Sequence, residues 1–185
     1  VMLDKYIFGE VNRISPEAPV PIVEKKSDSF RMGGASNVAA NLTGLGIKTI
    51  LSGVVGNDQN GEVLKRLLKK NDIGQQGLIK STLSTTTKTR IIAGHQQIVR
   101  VDDENINISL SANQIKKILN LIIKKPSIIV LSDYAKGFLT ENLIQKIIKQ
   151  AKKLNIPILV DPKGNDIQKY EGATILTPNK KEAFA

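Results

Sequence analysis

The stretch that decides the fold is residues 32–46, MGGASNVAANLTGLG. Its paired glycines, Gly33 and Gly34, predict a turn, because glycine adopts backbone angles that are closed to other residues. A helix that starts directly after them would point its free N–H groups back at the turn, and Gly46 is a plausible helix stop. Asn37 would add a carboxamide at this place. The arrangement suits an anion or a small polyhydroxylated ligand.

The stretch does not match the common nucleotide-binding loops. No Gly-Lys-Ser/Thr follows it, so it is not a Walker loop, and its third glycine is misplaced for the dinucleotide fingerprint. Taken alone, it is explained equally well as a glycine turn before an alanine-rich packing helix. Both interpretations remain open at this point.

Size and composition predict an ordinary α/β domain. The chain has 185 residues, of which 41% are hydrophobic and 24% charged, enough for one domain with a core. It has no cysteine, which fits a reducing compartment, and we expect the cytoplasm. No apolar run is long enough to cross a bilayer and no signal peptide is visible, so no membrane partner is expected. The chain starts inside an apolar run and stops at the start of a predicted helix, so we expect both ends to be cut.

The charge distribution disfavours nucleic acid as a partner. The net charge is +10, but most of the basic residues are lysines spread over the polar faces of predicted helices. A nucleic-acid site would gather them on one face. Aromatic residues make up 4% and tryptophan is absent, which leaves little for base stacking. The positive field would instead attract a phosphorylated substrate.

Most of the chain alternates helices with short apolar strands, the pattern of a mostly parallel sheet with helices on both faces. Two segments, about 8–24 and 86–102, break this rhythm and predict a small separate antiparallel sheet. The second segment reads as a hairpin around Gly94-His95, so His95, the only histidine, is expected to be a turn residue. Residues 1–3 read as the end of a strand that Asp4 terminates, with a loop over residues 5–13.

Polar residues follow several predicted strands. They are Asp4, Asn57-Asp58, Ser132-Asp133-Tyr134, Asp161-Pro162-Lys163 and residues 179–182, NKKE. In an open parallel sheet the carboxyl ends of the strands lie along one edge, and ligands bind there. Such residues suit hydroxyl groups, phosphates and a divalent cation held through water. For Asp58 we prefer a simpler role as a helix cap.

The glycine turn and its helix resemble the first signature of the ribokinase-like (PfkB) sugar kinases, and further segments resemble their heptose 7-phosphate kinase branch. Those segments are VMLDKY, RISPEAPVPIVE, QQIVRVDDE, LSDYAKG, VDPKG and LTPNKKEA. The resemblance runs from end to end. It implies that residues 1–185 are a partial ribokinase-like kinase domain, with a lid from segments 8–24 and 86–102 and its C-terminal part missing.

The resemblance also implies an activity. It is the ATP-dependent phosphorylation of D-glycero-β-D-manno-heptose 7-phosphate at O1, giving the 1,7-bisphosphate for ADP-heptose and lipopolysaccharide synthesis. In this branch the kinase is usually the N-terminal half of a bifunctional enzyme whose other half is a nucleotidyltransferase. ATP and Mg²⁺ are the implied cofactors, and a homodimer formed through the lid is the implied assembly. The family's catalytic base lies in a later Gly-Ala-Gly-Asp segment, so we expect no turnover by this chain alone.

The resemblance assigns site residues as follows. The implied substrate-binding residues are Asp4, Gly33, Gly34, Asn37, Asp133 and Lys136. The implied ATP-binding residues are Asp161, Lys163, Asn179, Lys180, Lys181 and Glu182, with Glu182 holding magnesium through water. The sugar's 7-phosphate needs cations, and the candidates are Arg13, Lys88, Arg90, Arg100 and Lys136. Of these we favour Arg13 and Arg90, because guanidinium groups suit phosphate.

Two other interpretations remain. The first is another ribokinase-like kinase with a different sugar, against which the segment RISPEAPVP argues. The second is a non-catalytic module for sugar binding or dimerisation, which the missing base keeps open.

Overall fold

A computed structural model describes residues 1–164 and 166–183. The strands are β1 (Met2–Ile14), β2 (Pro21–Gly33), β3 (Ile50–Gly56), β4 (Gly74–Ser81), β5 (Thr87–Ala93), β6 (Gln96–Asp103), β7 (Ile129–Ser132), β8 (Ile158–Asp161) and β9 (Ile175–Leu176). The helices are α1 (Ala35–Gly44), α2 (Gln59–Lys70), α3 (Ala112–Ile123), α4 (Glu141–Lys153), a 3₁₀ turn (Gln168–Tyr170) and α5 (Lys180–Ala183). None of the helices in these ranges could cross a membrane, since none is long and apolar enough.

The chain forms two compact units. The first unit comprises Val1–Thr49, Val55–Gly74 and Lys80–Glu104. The second comprises Ile50–Val54, Gln75–Ile79 and the chain from Asn105 onward. Strands β3 and β4 pair with each other, and each contributes residues to both units.

The first unit is built on a four-stranded sheet in the order β2-β1-β5-β6. The segments 8–24 and 86–102 lie in this sheet, as predicted, but the sheet is larger and mixed: β1 runs antiparallel to β2 and parallel to β5. The predicted loop over residues 5–13 is wrong, because β1 continues without a break from Met2 to Ile14. Strand β2 pairs with β1 over its whole length and β5 pairs with residues 3–9, and these backbone hydrogen bonds make the extended conformation the stable one. Asp4 therefore lies inside a strand and does not terminate it.

Three helices begin where their sequences predict. The Asp58 carboxylate accepts a hydrogen bond from Gly61 N at 2.7 Å and so caps α2, confirming the preferred role. Ser111 caps α3 in a reciprocal capping box with Gln114, and Thr140 caps α4. Short polar side chains at this position satisfy N–H groups that a helix start leaves unpaired.

The second unit has a three-stranded parallel sheet in the order β7-β8-β9, the arrangement that the alternating sequence predicts. Its core is formed mainly by α4, which buries one face against α3 and the strands. The buried α4 residues are Leu143, Ile144, Ile147, Ile148 and Ala151. Their spacing is that of one helix face. Burial of these aliphatic side chains fixes the sheet whose carboxyl ends carry the predicted polar residues.

Candidate functional site

In the first unit, the glycine turn lies directly against Asp4. Gly33 ends β2 opposite Met2, and a Cβ added to it would stand 2.7 Å from the Asp4 carboxylate. Gly34, with φ 52°, is in the left-handed region and precedes α1. Both glycines are therefore required, one by space and one by backbone angle. The predicted turn is confirmed, and it brings a carboxylate to the start of a helix.

The start of α1 has no side-chain cap. Asn37, in its first turn, is exposed. Ser36, beside it, is fully buried, and its hydroxyl has no hydrogen-bond partner within the described part of the chain. Sequence reasoning missed Ser36, although its place between the glycines and Asn37 marked it. The Asn37 N–H already donates to Gly34 O at 2.9 Å and the Ser36 hydroxyl is enclosed by protein, so the exposed Asn37 carboxamide is the group of this turn that a ligand could reach.

Asp4 forms an ion pair with Arg90. Arg90 Nη1 donates to Asp4 Oδ1 at 2.7 Å, and the side chains are 22% and 18% exposed. The two residues are 86 positions apart in sequence and meet because β1 and β5 are parallel neighbours in which Tyr6 lies opposite Arg90. The structure thus brings together two residues that were predicted separately to bind substrate.

A second arginine, Arg31, joins this cluster from the other side of β1. Its guanidinium carbon lies 5.2 Å from the centre of the Tyr6 ring, and that of Arg90 lies 5.3 Å from the same ring. Arg31 is opposite Asp4 in the register of β1 and β2, so all four side chains belong to one face of the sheet. No local sequence pattern marks Arg31, because only the strand register places it here.

Of the other predicted phosphate ligands, Arg13 lies elsewhere on β1. Lys88 and Arg100 share the sheet face of Arg90 and, like Arg90, are paired with carboxylates. Arg13 is seven residues along β1 from Tyr6, roughly 23 Å at the rise of an extended strand, so Arg13 and Arg90 of one chain cannot share a phosphate. Lys88 donates to Glu104 at 2.7 Å and to Asp102 at 2.9 Å. Its pKa is raised chiefly by the Glu104 hydrogen bond. Arg100 makes two hydrogen bonds to Asp102.

In the second unit, the predicted residues Asp133 and Asp161 meet at the carboxyl ends of β7 and β8. Ser132 lies opposite Asp161 in register, and Asp133 N donates to Asp161 O at 3.0 Å. Asp133 is almost completely buried. Lys136 is half-buried in the loop that follows. The strand-end prediction is confirmed for these two aspartates, whereas Asp4 belongs to the first unit.

The NKKE segment forms a capping box. Asn179 Oδ1 accepts the N–H groups of Lys181 at 2.9 Å and Glu182 at 3.1 Å, and Glu182 Oε2 accepts Asn179 N–H at 3.0 Å. The spacing of N-x-x-E is therefore also the spacing of a reciprocal helix cap. Lys180 and Lys181 are exposed on the same turn.

The second Glu182 oxygen is held by a distant lysine. Lys163 Nζ lies 3.1 Å from Glu182 Oε1, and the Lys163 side chain is 52% exposed while that of Glu182 is 9% exposed. The Asn179 hydrogen bond and then the Lys163 ammonium hold the pKa of Glu182 below its ordinary value. The pKa of Asp161 moves the other way, raised by burial and then by the nearby Glu182 charge.

These groups fit a hydrated cation better than a directly bound one. Among residues 1–164 and 166–183, no three acidic or histidine side chains come close enough to hold a metal ion. Asp161 and Glu182 interact electrostatically and provide two carboxylates, while Lys163 occupies one position on Glu182. Mg²⁺ keeps several of its waters when it binds through one or two carboxylates, which is the mode that this pair allows.

The fold defines the class of protein. The structure superposes on that of phosphofructokinase-2 from Escherichia coli in complex with fructose-6-phosphate with a TM-score of 0.73 and 20% identity, covering 98% of this chain and 59% of that one. It superposes on Arabidopsis thaliana ribokinase complexed with ribose and ATP with a TM-score of 0.69 and 19% identity. This superposition covers 97% of this chain and 58% of the ribokinase chain. The fold is thus the ribokinase-like α/β fold, as predicted.

The family follows from the sequence. The profile of the pfkB family carbohydrate kinases matches residues 4–185, and the chain belongs to that family. It is 52% identical to the bifunctional protein HldE of Methylobacillus flagellatus over 98% of this chain and 38% of that protein. It is 47% identical to the bifunctional protein HldE of a Campylobacter jejuni strain, over 99% of this chain and 39% of that protein. The chain spans about two fifths of the length of these curated relatives.

Proposed function

We propose that the protein phosphorylates D-glycero-β-D-manno-heptose 7-phosphate at O1, using ATP, and that this is one activity of a bifunctional enzyme of ADP-heptose synthesis. The observation that carries the proposal is the Asp4–Arg90 pair against the Gly33–Gly34 turn. It offers a carboxylate for sugar hydroxyls and a guanidinium for a phosphate in a chain that belongs to a carbohydrate kinase family. The relatives at 44–52% identity, all named bifunctional protein HldE, support the choice of sugar.

The sugar would be bound by residues of the first unit. The Asp4 carboxylate accepts hydrogen bonds from hydroxyl groups, and Asn37 and the backbone of the glycine turn bind further hydroxyls. Arg90, with Arg31 in place of Arg13, holds the 7-phosphate, because both guanidinium groups lie beside Tyr6 and arginine binds phosphate through paired N–H donors. Lys136 is a further cation for the substrate phosphate.

The ATP phosphates would be bound by residues of the second unit. Lys163 supplies an ammonium for charge neutralisation, and Lys180 and Lys181 add positive charge on the turn that Asn179 caps. Glu182 and Asp161 would hold Mg²⁺ through water, and the ion would supply positive charge for the transferring phosphoryl group. In the reaction the sugar O1 forms a bond to the γ-phosphorus, the bond from that phosphorus to the bridging oxygen of ADP breaks, and the O1 proton leaves to a base.

Two features concern the assembly and the location. Strand β6 is at an edge of the first unit's sheet, and its Val99 and Val101 are 46% and 54% exposed. We propose that this sheet pairs two subunits into a homodimer, since exposed apolar side chains on a sheet edge favour association. An ATP-consuming enzyme without cysteines fits the cytoplasm.

The test is a coupled ADP-release assay on the full-length protein with a panel of sugars. We expect the highest kcat/KM with heptose 7-phosphate, and a much lower value with heptose that lacks the phosphate, since the arginines would then have no partner. Ribose and fructose 6-phosphate serve as family controls. A preference for either of them would show another ribokinase-like kinase, and no ADP release with any sugar would support a non-catalytic module.

A further inference from the structure

Asp133 is a buried carboxylate that has no free oxygen to offer a sugar. Its side chain is 4% exposed. Oδ1 accepts the backbone N–H of Ala135 at 2.8 Å, and Oδ2 accepts the hydroxyl of Tyr170 at 2.6 Å and the ammonium of Lys169 at 2.9 Å. A carboxylate whose oxygens are satisfied inside the protein is a structural anchor, since a ligand would have to displace strong hydrogen bonds to reach it.

The two side chains that Asp133 holds both reach the same residue, Lys163. The Tyr170 hydroxyl accepts the Lys163 backbone N–H at 3.3 Å, and the Lys169 ammonium donates to the Lys163 carbonyl oxygen at 3.4 Å. One buried carboxylate therefore fixes, through two neighbouring side chains, both backbone polar groups of one loop residue.

The anchor is itself built into the core of the second unit. Tyr170 is 1% exposed and lies in the 3₁₀ turn Gln168–Tyr170, packed with the buried face of α4. Burial and then the hydrogen bond to Asp133 raise the pKa of the Tyr170 hydroxyl, so it stays protonated at neutral pH and keeps donating. The Lys169 ammonium lies 4.9 Å from the Tyr170 ring centre, which holds the two side chains together.

We propose that Asp133, Lys169 and Tyr170 are positioning residues that set the backbone of Lys163 and, through it, the Lys163–Glu182 ion pair that receives ATP. The proposal rests on the proposed function for the role of Lys163 and Glu182. It replaces the prediction that Asp133 contacts the sugar. The Lys163 ammonium would then be held at the place where the γ-phosphate arrives, so that little ordering remains for ATP binding to accomplish.

The test is Tyr170→Phe in the full-length protein, which removes one hydroxyl and leaves the ring in the core. We expect the ATP Kd, measured by fluorescence titration, and the ATP KM to rise roughly three- to tenfold, because the variant loses one or two hydrogen bonds. The KM for the sugar phosphate should stay unchanged. Tyr134→Phe is the matched control, since Tyr134 is a neighbouring exposed tyrosine, and it should change neither constant.

Two further variants separate positioning from general damage. In a Glu182→Gln background, Tyr170→Phe should add nothing to the ATP Kd, because its effect passes through the Lys163–Glu182 pair. Asp133→Asn should raise the ATP Kd and not the sugar KM. An unchanged ATP Kd in Tyr170→Phe, or a rise confined to the sugar KM in Asp133→Asn, would overturn the proposal. If the wild-type protein binds ATP but phosphorylates no sugar, the proposed function fails while the Kd comparison still decides this inference.

Discussion

The two polar clusters differ in how they are built. In the first unit, Asp4 and Arg90 meet through strand register alone and remain about one fifth exposed. In the second unit, Asp133 is 4% exposed and holds three donors, and Glu182 is held at both oxygens. The first cluster keeps hydrogen-bonding capacity for a ligand, whereas the second uses most of its capacity to fix a loop and a helix start.

The largest expected difference between the clusters is in stability. Asp133→Ala leaves the Tyr170 hydroxyl and the Lys169 ammonium without their partner in a buried site, and we expect a loss of about 3–5 kcal/mol in the free energy of unfolding. Asp4→Ala should cost about 1 kcal/mol, because its ion pair with Arg90 is more exposed to water than Asp133 is. Urea denaturation measures both, with the exposed Asp103→Ala as the control for removing an aspartate. Equal losses for Asp133 and Asp4 would show that the two clusters are built alike.

The next effect is on substrate affinity. Arg90→Lys keeps the charge but loses the planar donor fork, so we expect the KM for the sugar phosphate to rise about tenfold. Arg31→Lys should give a similar or smaller rise. Arg13→Lys is the control, because Arg13 is far along β1, and it should leave this KM unchanged in steady-state assays. A rise for Arg13 with none for Arg90 would assign the phosphate to Arg13 and remove the two arginines beside Tyr6 from the site.

A smaller effect tests the capping box alone. Asn179→Ala removes the side-chain acceptor for two N–H groups, and we expect a loss of about 1 kcal/mol in unfolding free energy. Asn179→Asp keeps an acceptor and should retain most of the stability. Thermal unfolding of the two variants under the same conditions measures this difference in stability. If Asn179→Asp is destabilised as much as Asn179→Ala, the Asn179 side chain does not stabilise the protein by capping the helix.

The smallest effect depends on pH. The folded-state pKa of Glu182 is lowered, first by the Asn179 hydrogen bond and then by Lys163, from an ordinary value of 4.5. Its contribution to stability is therefore present above about pH 4.5 and is lost as the pH falls through the lower, folded-state pKa. The difference in unfolding free energy between the wild-type protein and Glu182→Gln should shrink over that acidic interval. A difference that stays constant from pH 7 to pH 3 would contradict this origin.

Features that depend on residues close together in the sequence could be predicted, whereas contacts between distant strands could not. The helix starts at Asp58 and Thr140 and the parallel strand–helix alternation depend on residues a few positions apart, so local pattern predicts them. The Asp4–Arg90 pair and the Arg31 contact depend on the register of β1 with its two neighbours, which no local pattern contains. The loop predicted over residues 5–13 is wrong for the same reason, since pairing with β2, and with β5 as far as Gly9, is what makes that segment extended.

The support for Lys163 was beyond sequence reasoning for a different reason. Lys169 and Tyr170 carry no motif, and their role follows only from the hydrogen bonds that link them to Asp133. The sequence indicated that Asp133 matters, because it follows an apolar strand, but gave no way to tell a ligand contact from an internal anchor. The three hydrogen bonds that its oxygens accept are what support the proposed anchor role.

The most direct test of the division into a sugar side and an ATP side compares two variants of the full-length protein. Steady-state kinetics with both substrates varied give, for Asp4→Asn and for Glu182→Gln, one KM for the sugar phosphate and one for ATP. We expect Asp4→Asn to raise the KM for the sugar phosphate and to leave the KM for ATP unchanged. Glu182→Gln should raise the KM for ATP and leave the KM for the sugar phosphate unchanged. Equal changes in both KM values for either variant would contradict it.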